Sequence, residues 1–505
     1  MALPSVDYTP RDPAADVLHR VVRDHLQTFL AEAAHLRAGE GVPRFVEDEF
    51  QTFLTCGWLA GGFARFQCGA CKAERLVAFS CKGRGFCPSR GPRRTDCVRW
   101  GGSCGGRRMT ERAAHLVDHV LPDVPVRQWV LTVPHRIRYL LAWRHDLCKA
   151  VVRVLLREVH RHLRTRARAS GLGDVRGGAV AVVQRFGGAL NLNVHIHALV
   201  LDGVFARDDD GGLRFHAAPD LDSADVADVL AAIAPGVHRL LRRHGADPND
   251  DGASDAFAES SPLLAGLAAA SVQGRVALSG TPGARPRRVG QTSVERGVPE
   301  PGTCHARWEG FDLHAAVRVP AGQRDRLERV CRYALRPPVA GARLHLGADG
   351  QVMLQLRHPW ADGTTHVAFT PTAFLERLAV LVPRPHVNLL LYHGVLAPRA
   401  PWRAEVVPHV SAHRAPGVTA DAPVADPAAG TTRRRSGRGA SWAQLMRRAF
   451  AIDVLACPRC GGRLRLIALI EASAVARRIL THLAVPVDVP RPAPARAPPC
   501  AHEDA

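Results

Sequence analysis

Leu190-Asn191-Leu192-Asn193-Val194-His195-Ile196-His197-Ala198-Leu199-Val200 alternates polar and apolar residues up to Ala198. Side chains of a β-strand point to opposite faces with period two. Asn191, Asn193, His195 and His197 therefore share one face, and Leu192, Val194, Ile196 and Ala198 share the other. Two imidazoles two residues apart on one face can grip one metal ion. The same pattern also arises when an amphipathic strand merely packs its histidines against a neighbouring element.

A tyrosine downstream supports the metal reading. The chain has only four, Tyr8, Tyr139, Tyr333 and Tyr392. Tyr333 lies in a stretch from Gly322 to Pro338 that reads as a short helix closed by Pro337 and Pro338, because proline cannot continue a helix and restricts the residue before it. Tyr333 is expected to project from a rigid element, with Arg329, Arg332 and Arg336 beside it at three- and four-residue spacings, suited to phosphate oxygens. A lone tyrosine near a helix end is otherwise a half-buried packing residue.

The charge balance points to a polyanion. Lys+Arg total 67 against 47 Asp+Glu, a formal net charge of +20, and such an excess most often marks a nucleic-acid partner. Arg153, Arg157, Arg161, Arg164 and Arg168 recur at helical spacing beside Val152, Leu156, Val159 and Leu163, which predicts one packed face and one basic face. Glu158 is the only acid from Val151 to Gly171, which favours DNA contact over a merely solvated face. At 46% hydrophobic, 505 residues can bury a large core split into two or three domains. The opening residues lack a signal-peptide pattern and no run is long enough to span a membrane, so a cytoplasmic, nucleoid-associated protein is expected. Thirteen cysteines, an odd number crowded between Cys56 and Cys104, favour metal ligation over a disulfide framework.

The organisation expected along the chain is an N-terminal helix within 1–40, a cysteine-rich module at 41–115 and a long α+β body at 116–400. Within the body, 243–303 is rich in Gly, Pro, Ser and Asp and reads as an insertion or mobile loop. Arg343 to Thr370 reads as hairpins turning at Ala348-Asp349-Gly350 and Ala361-Asp362-Gly363. A linker at 401–440, a small element at 441–480 and a disordered tail at 481–505 complete the reading.

The string around His195 and His197, from Gly187 to Phe205, resembles the metal site of HUH endonucleases. Cys331-Arg332-Tyr333-Ala334-Leu335-Arg336-Pro337-Pro338 resembles the nucleophile segment of the insertion sequence 91 family of rolling-circle transposases. Further strings match that family in the same order: Phe79 to Ser89, Arg127 to Pro134, Tyr392 to Pro398 and Cys457 to Gly462. The resemblance spans about residues 15 to 470. It implies an α+β protein with a central antiparallel sheet and flanking helices, preceded by a small zinc-binding module. Tyr333 would be the nucleophile that cleaves and rejoins single-stranded DNA at transposon ends, and His195 and His197 would hold Mg²⁺ or Mn²⁺. Gln184 and Asn193 are candidates for the third ligand. Founding members carry a second tyrosine four residues before the first. Arg329 stands there, so the chain resembles the single-tyrosine branch, with two cleavages handled by one tyrosine in turn or by a homodimer. A rolling-circle replication initiator or relaxase, or a decayed zinc-dependent DNA-binding protein, are the alternative functions.

Zinc is implied on the Cys68-Gly69-Ala70-Cys71 pair. The family's second pair is Cys-Pro-Ser-Cys, whereas this chain reads Cys87-Pro88-Ser89-Arg90. The family continuation resumes at Ser103-Cys104-Gly105, so 14 residues, Arg90 to Ser103, read as an insert. Cys68, Cys71, Cys87 and Cys104 are therefore the expected ligands, with Cys56, Cys81 and Cys97 as further candidates. Cys457 and Cys460 form half a knuckle with no partner pair nearby. Cys148, Cys304, Cys331 and Cys500 are not expected to bind metal.

Overall fold

The structure, a computed structural model, describes residues 13–35, 41–88, 104–247, 255–278, 281–290, 304–407, 442–450, 453–489 and 491–496. The insert Arg90 to Ser103, Cys97, the segment 411–440 and Cys500 lie outside them.

The alternating segment is a strand, Leu192–Leu201, near the middle of a six-stranded sheet. We label that sheet's strands β1 (Val126–Thr132), β2 (Gly178–Phe186), β3 (Leu192–Leu201), β4 (His305–Trp308), β5 (Phe311–Val319) and β6 (Leu390–Gly394). Their spatial order is β4-β5-β1-β3-β2-β6, and every neighbouring pair is antiparallel. β2 and β3 form a hairpin in which Gly187 N–H donates to the Asn191 carbonyl at 2.9 Å, and the register set there puts Gln184 opposite His195.

The period-two pattern sorts the sheet's two faces. Ala181, Val183, Val194, Ile196, Ala198 and Trp129 enter the main core, under the helices His145–Ala169, His135–Trp143 and Pro371–Leu381. Val126, Val180, Leu199 and Leu201 line the opposite face and pack with Leu116 and Val117 of the helix Cys104–His119 and Leu327 and Cys331 of the helix Arg324–Ala334. His195 and His197 lie on this second face, where its apolar floor gives way to polar residues. Arg127, buried, reaches Asp202 through two bonds of 2.9 and 3.1 Å, and Arg318 joins the same carboxylate at 2.7 Å, tying β1 and β5 to the end of β3.

The helix read from the N-terminal residues is Val17–His35, and the hairpins read between Arg343 and Thr370 form with Gly350 and Gly363 at positive φ in their turns. Three expectations differ from the structure. The region 243–303 contains the helices Ala256–Ser260 and Pro262–Val272 and the strand Arg287–Gly290, which pairs with Thr364–Phe369. Its Gly, Pro and Ser content hides Leu263, Leu264, Leu267 and Ala268, all buried, behind a proline that starts the helix. Part of the tail is docked, with Ala493 N–H on the Arg23 carbonyl at 2.9 Å and Arg496 N–H on Thr28 Oγ1 at 3.1 Å. The element at 441–480 is not separate either. Its strand Leu464–Ile470 pairs with Phe63–Cys68, which in turn pairs with Glu74–Ala78, making one three-stranded sheet with the cysteine module.

Candidate active site and cysteine centres

Strand pairing delivers the two histidines, and helix packing delivers the tyrosine. His195 and His197 ring centroids lie 4.9 Å apart, and the ring of Tyr333 meets that of His197 edge-on at 5.7 Å. Tyr333 sits on the last turn of the helix Arg324–Ala334, whose Leu327 and Cys331 are anchored in the core while Tyr333 itself remains 39% exposed. Gln184 fixes this end of the helix by donating from Nε2 to the carbonyls of Tyr333 and Ala334, at 3.1 and 2.6 Å.

Each imidazole has its Nδ1 side occupied. His195 Nδ1 lies 2.9 Å from the Asn193 carbonyl, which accepts only, so the proton sits on Nδ1 and Nε2 keeps a lone pair. His197 Nδ1 lies 3.0 Å from the amide Nε2 of buried Gln128, which donates, so in this arrangement the ring proton sits on Nε2; turning the amide over to present its oxygen would move that proton to Nδ1. Burial holds His195 down to about 4 and His197 well below its ordinary value, the latter also through His195, so both are neutral near pH 7. His197 Nε2, Gln184 Oε1 and Asn193 Oδ1 are buried and make no hydrogen bond. With the Gln128 amide turned over, two neutral imidazoles and the orphaned amide oxygen of Gln184 on the paired strand fit a divalent ion of the Mn²⁺ or Mg²⁺ class.

The electrostatics beside the tyrosine suit an anion. The guanidinium carbons of Arg336 and Arg357 lie 4.3 and 5.0 Å from the centroid of the Tyr333 ring. Burial lowers the pKa of Arg336 and Tyr333 opposes that shift, while the buried Nε of Arg336 has no hydrogen-bond partner. Arg357 escapes a reading by helical spacing because it follows the strand Val352–Gln355, on a different sheet. Arg332 is directed otherwise, its Nε 3.9 Å from Glu328, and Arg329 is exposed.

The arginine helix is partly neutralised. Glu158 accepts from Arg157 at 2.7 Å and from Arg161 at 2.8 Å, while Arg153 and Arg168 stay exposed. Arg164 lines a separate cavity with His160, Arg176 and Trp402.

The cysteines are sorted differently from the expectation. Cys68 and Cys71 do not meet Cys87. They gather with Cys457 and Cys460, and all four sulfurs lie within 4.8 Å of one another. Cys87 belongs to a second group with Cys56 and Cys81, also within 4.8 Å, with Cys56 Sγ 3.9 Å from Cys87 Sγ. The physical reason is the strand Leu464–Ile470, which pairs with Phe63–Cys68 and brings the distant knuckle to the end where Cys68 lies. Cys104 opens the helix Cys104–His119, and its side chain lies outside the described residues. The next residue, Gly105, is so close to the Cys87 carbonyl that an added Cβ would stand 2.4 Å from it. Cys148, Cys304 and Cys331 are in neither group.

Comparison with protein families gives two matches. The family described as "Putative transposase" matches residues 178–403, and the insertion sequence 91 transposase zinc-binding domain matches residues 21–133. The first covers the histidine strand and Tyr333, and the second covers both Cys68-Cys71 and the Cys56-Cys81-Cys87 group. No curated protein and no solved structure matches the chain. Among the described residues, no helix is long and apolar enough to cross a membrane.

Proposed function

Because this chain belongs to the insertion sequence 91 family of transposases, and so acts on DNA, we propose that it cleaves and rejoins single-stranded DNA at transposon ends with Tyr333 as nucleophile. The observation that carries this reading is the edge-on placement of Tyr333 on His197, with the guanidiniums of Arg336 and Arg357 over its ring. Tyr333 Oη attacks the scissile phosphorus, forming an O–P bond as the bond from phosphorus to the 3′ oxygen breaks. The exposed phenol yields its proton to solvent, and the departing 3′ oxygen takes one up. The product is a 5′-phosphotyrosine and a free 3′-hydroxyl, and the stored ester lets the strand be rejoined without an outside energy source.

Arg336 and Arg357 are placed to hold the phosphate and favour the negative charge that develops on it. A divalent ion would supply Lewis-acid polarisation of a non-bridging oxygen, with His195 and His197 as its holders and Gln184 Oε1 as third donor. Gln184 also holds the backbone of Tyr333, so one side chain links the metal donors to the nucleophile. Within the residues matching the zinc-binding domain, Cys56, Cys81 and Cys87 are proposed to hold a structural zinc, with Cys104 as the fourth ligand next to Gly105. The test is incubation with single-stranded oligonucleotides carrying the element's ends and Mn²⁺. Wild type should form a denaturant-resistant protein–DNA adduct and Tyr333→Phe none. An adduct with Tyr333→Phe would transfer the role to another residue and refute the assignment.

A further inference from the structure

Two short turns separated by most of the chain have the same build. In Cys68-Gly69-Ala70-Cys71-Lys72, Lys72 has φ 58° and its N–H donates to the Cys68 carbonyl at 3.2 Å. In Cys457-Pro458-Arg459-Cys460-Gly461, Gly461 has φ 70° and its N–H donates to the Cys457 carbonyl at 2.8 Å. Each turn presents two thiols on one side, and the two turns face each other. Cys68 Sγ lies 3.6 Å from Cys460 Sγ, and Cys71 Sγ lies 3.6 Å from Cys457 Sγ. Four sulfurs held tetrahedrally at about 2.3 Å from a zinc ion stand roughly 3.8 Å apart, close to the two 3.6 Å separations here, and all four lie within 4.8 Å of one another. A disulfide would need about 2.05 Å, and all four are free thiols.

The surroundings are built for the quartet. Gly69 N–H donates to the Arg463 carbonyl at 3.1 Å, bonding one turn to the other. Gly462 packs tightly on the quartet, since an added Cβ would stand 3.2 Å from both Cys460 Sγ and Cys68 Sγ and push on them. Beyond the turns, Phe63, Ala476 and Leu480 form a buried apolar cluster that seats the helix Ser473–His482 on the module.

We propose that Cys68, Cys71, Cys457 and Cys460 form a second structural zinc site, a clasp by which the C-terminal segment completes the N-terminal module. Both family matches end before Cys457, so neither covers this half of the site. The clasp has a route toward the nucleophile. Arg448, between the linker and the knuckle, reaches Glu328 at 2.6 Å and Asp118. Glu328 lies on the helix of Tyr333, and Asp118 lies on the helix packed beside it.

The experiment counts zinc by mass spectrometry in purified full-length protein, with Co²⁺ substitution to read thiolate charge-transfer bands. Wild type should hold two equivalents, and the Cys457→Ser/Cys460→Ser protein one. Cys56→Ser/Cys87→Ser, which tests the other group, should also hold one. Where the double serine variant fails to fold, Cys460→His keeps a ligating side chain, and it should retain two metals with an altered cobalt spectrum. Undiminished zinc in Cys457→Ser/Cys460→Ser, or an unaltered cobalt spectrum in Cys460→His, overturns the clasp. Loss of zinc only in Cys56→Ser/Cys87→Ser does the same while leaving the module's own site standing.

Discussion

Replacing Gln128 by leucine separates metal holding from chemistry. The one assigned contact of Gln128 at the site is with His197 Nδ1 at 3.0 Å, across from the nitrogen that would hold the ion. For Nε2 to keep a lone pair on metal binding, the amide must turn over from its Nε2···Nδ1 contact and present its oxygen to Nδ1–H, which fixes tautomer and ring orientation together. Loss of such an outer partner typically costs 10–100-fold in metal affinity, about 1.4–2.7 kcal/mol. The orphaned buried Nδ1–H adds a stability cost of about 1–3 kcal/mol. Adduct formation should be measured across a Mn²⁺ titration. In Gln128→Leu the half-maximal Mn²⁺ concentration should rise roughly 10- to 100-fold while the rate at saturation stays near wild type. Gln128→Glu keeps an acceptor and should hold the wild-type midpoint. An unmoved midpoint in Gln128→Leu, or a rate that saturating Mn²⁺ does not restore, would refute the positioning role.

Other measurements probe the same geometry. His195→Ala and His197→Ala should each abolish Mn²⁺-dependent cleavage while single-stranded DNA binding in a filter assay is largely kept, because arginine contacts supply most nonspecific affinity; full cleavage in EDTA would refute the metal site. Arg357→Ala should slow adduct formation at saturating Mn²⁺ without moving the Mn²⁺ midpoint, the reverse of Gln128→Leu. His195 is held at about 4 against an unfolded value near 6.5, so above 6.5 it is neutral in both states, and between 6.5 and 4 only the unfolded chain gains the proton. Metal-free protein should therefore lose up to about 3 kcal/mol through His195 over that interval, and acid-denaturation curves of His195→Asn should be flatter there. Arg448→Ala strips a partner from buried Glu328 and should lower unfolding free energy by about 1–3 kcal/mol, read by denaturant titration.

The histidine strand and the tyrosine helix were legible because their signals are local. Alternation over Asn191 to Ala198 dictates a strand with both histidines on one face, and the paired prolines after Arg336 close the helix of Tyr333. What was not legible depends on distant register. Gln128 and Arg357 reach the site only through sheet pairing and helix docking, and no spacing in the sequence connects them to His197 or Tyr333. The cysteines show the same limit more sharply. Spacing identified Cys68-Cys71 and Cys457-Cys460 as pairs, but nothing short of the pairing of Phe63–Cys68 with Leu464–Ile470 could match one with the other. The helix Pro262–Val272 was hidden for a different reason, since small residues serve a tightly buried helix as readily as a loop.

The separation between the two halves of the clasp, 386 residues from Cys71 to Cys457, also sets an order of events during synthesis. At roughly 5–20 residues per second, Cys71 waits about 20 to 80 s for its partners to be made. Through that interval the proposed clasp has only two of its thiolates, and by its end the helix of Tyr333 has been made. A chain broken off between Tyr333 and Cys457 would carry the histidines and the tyrosine but could not close the proposed clasp. Zinc capture would then report that translation has run through the last knuckle, so that a truncated product that keeps Tyr333 lacks the finished module that accompanies it in the full chain.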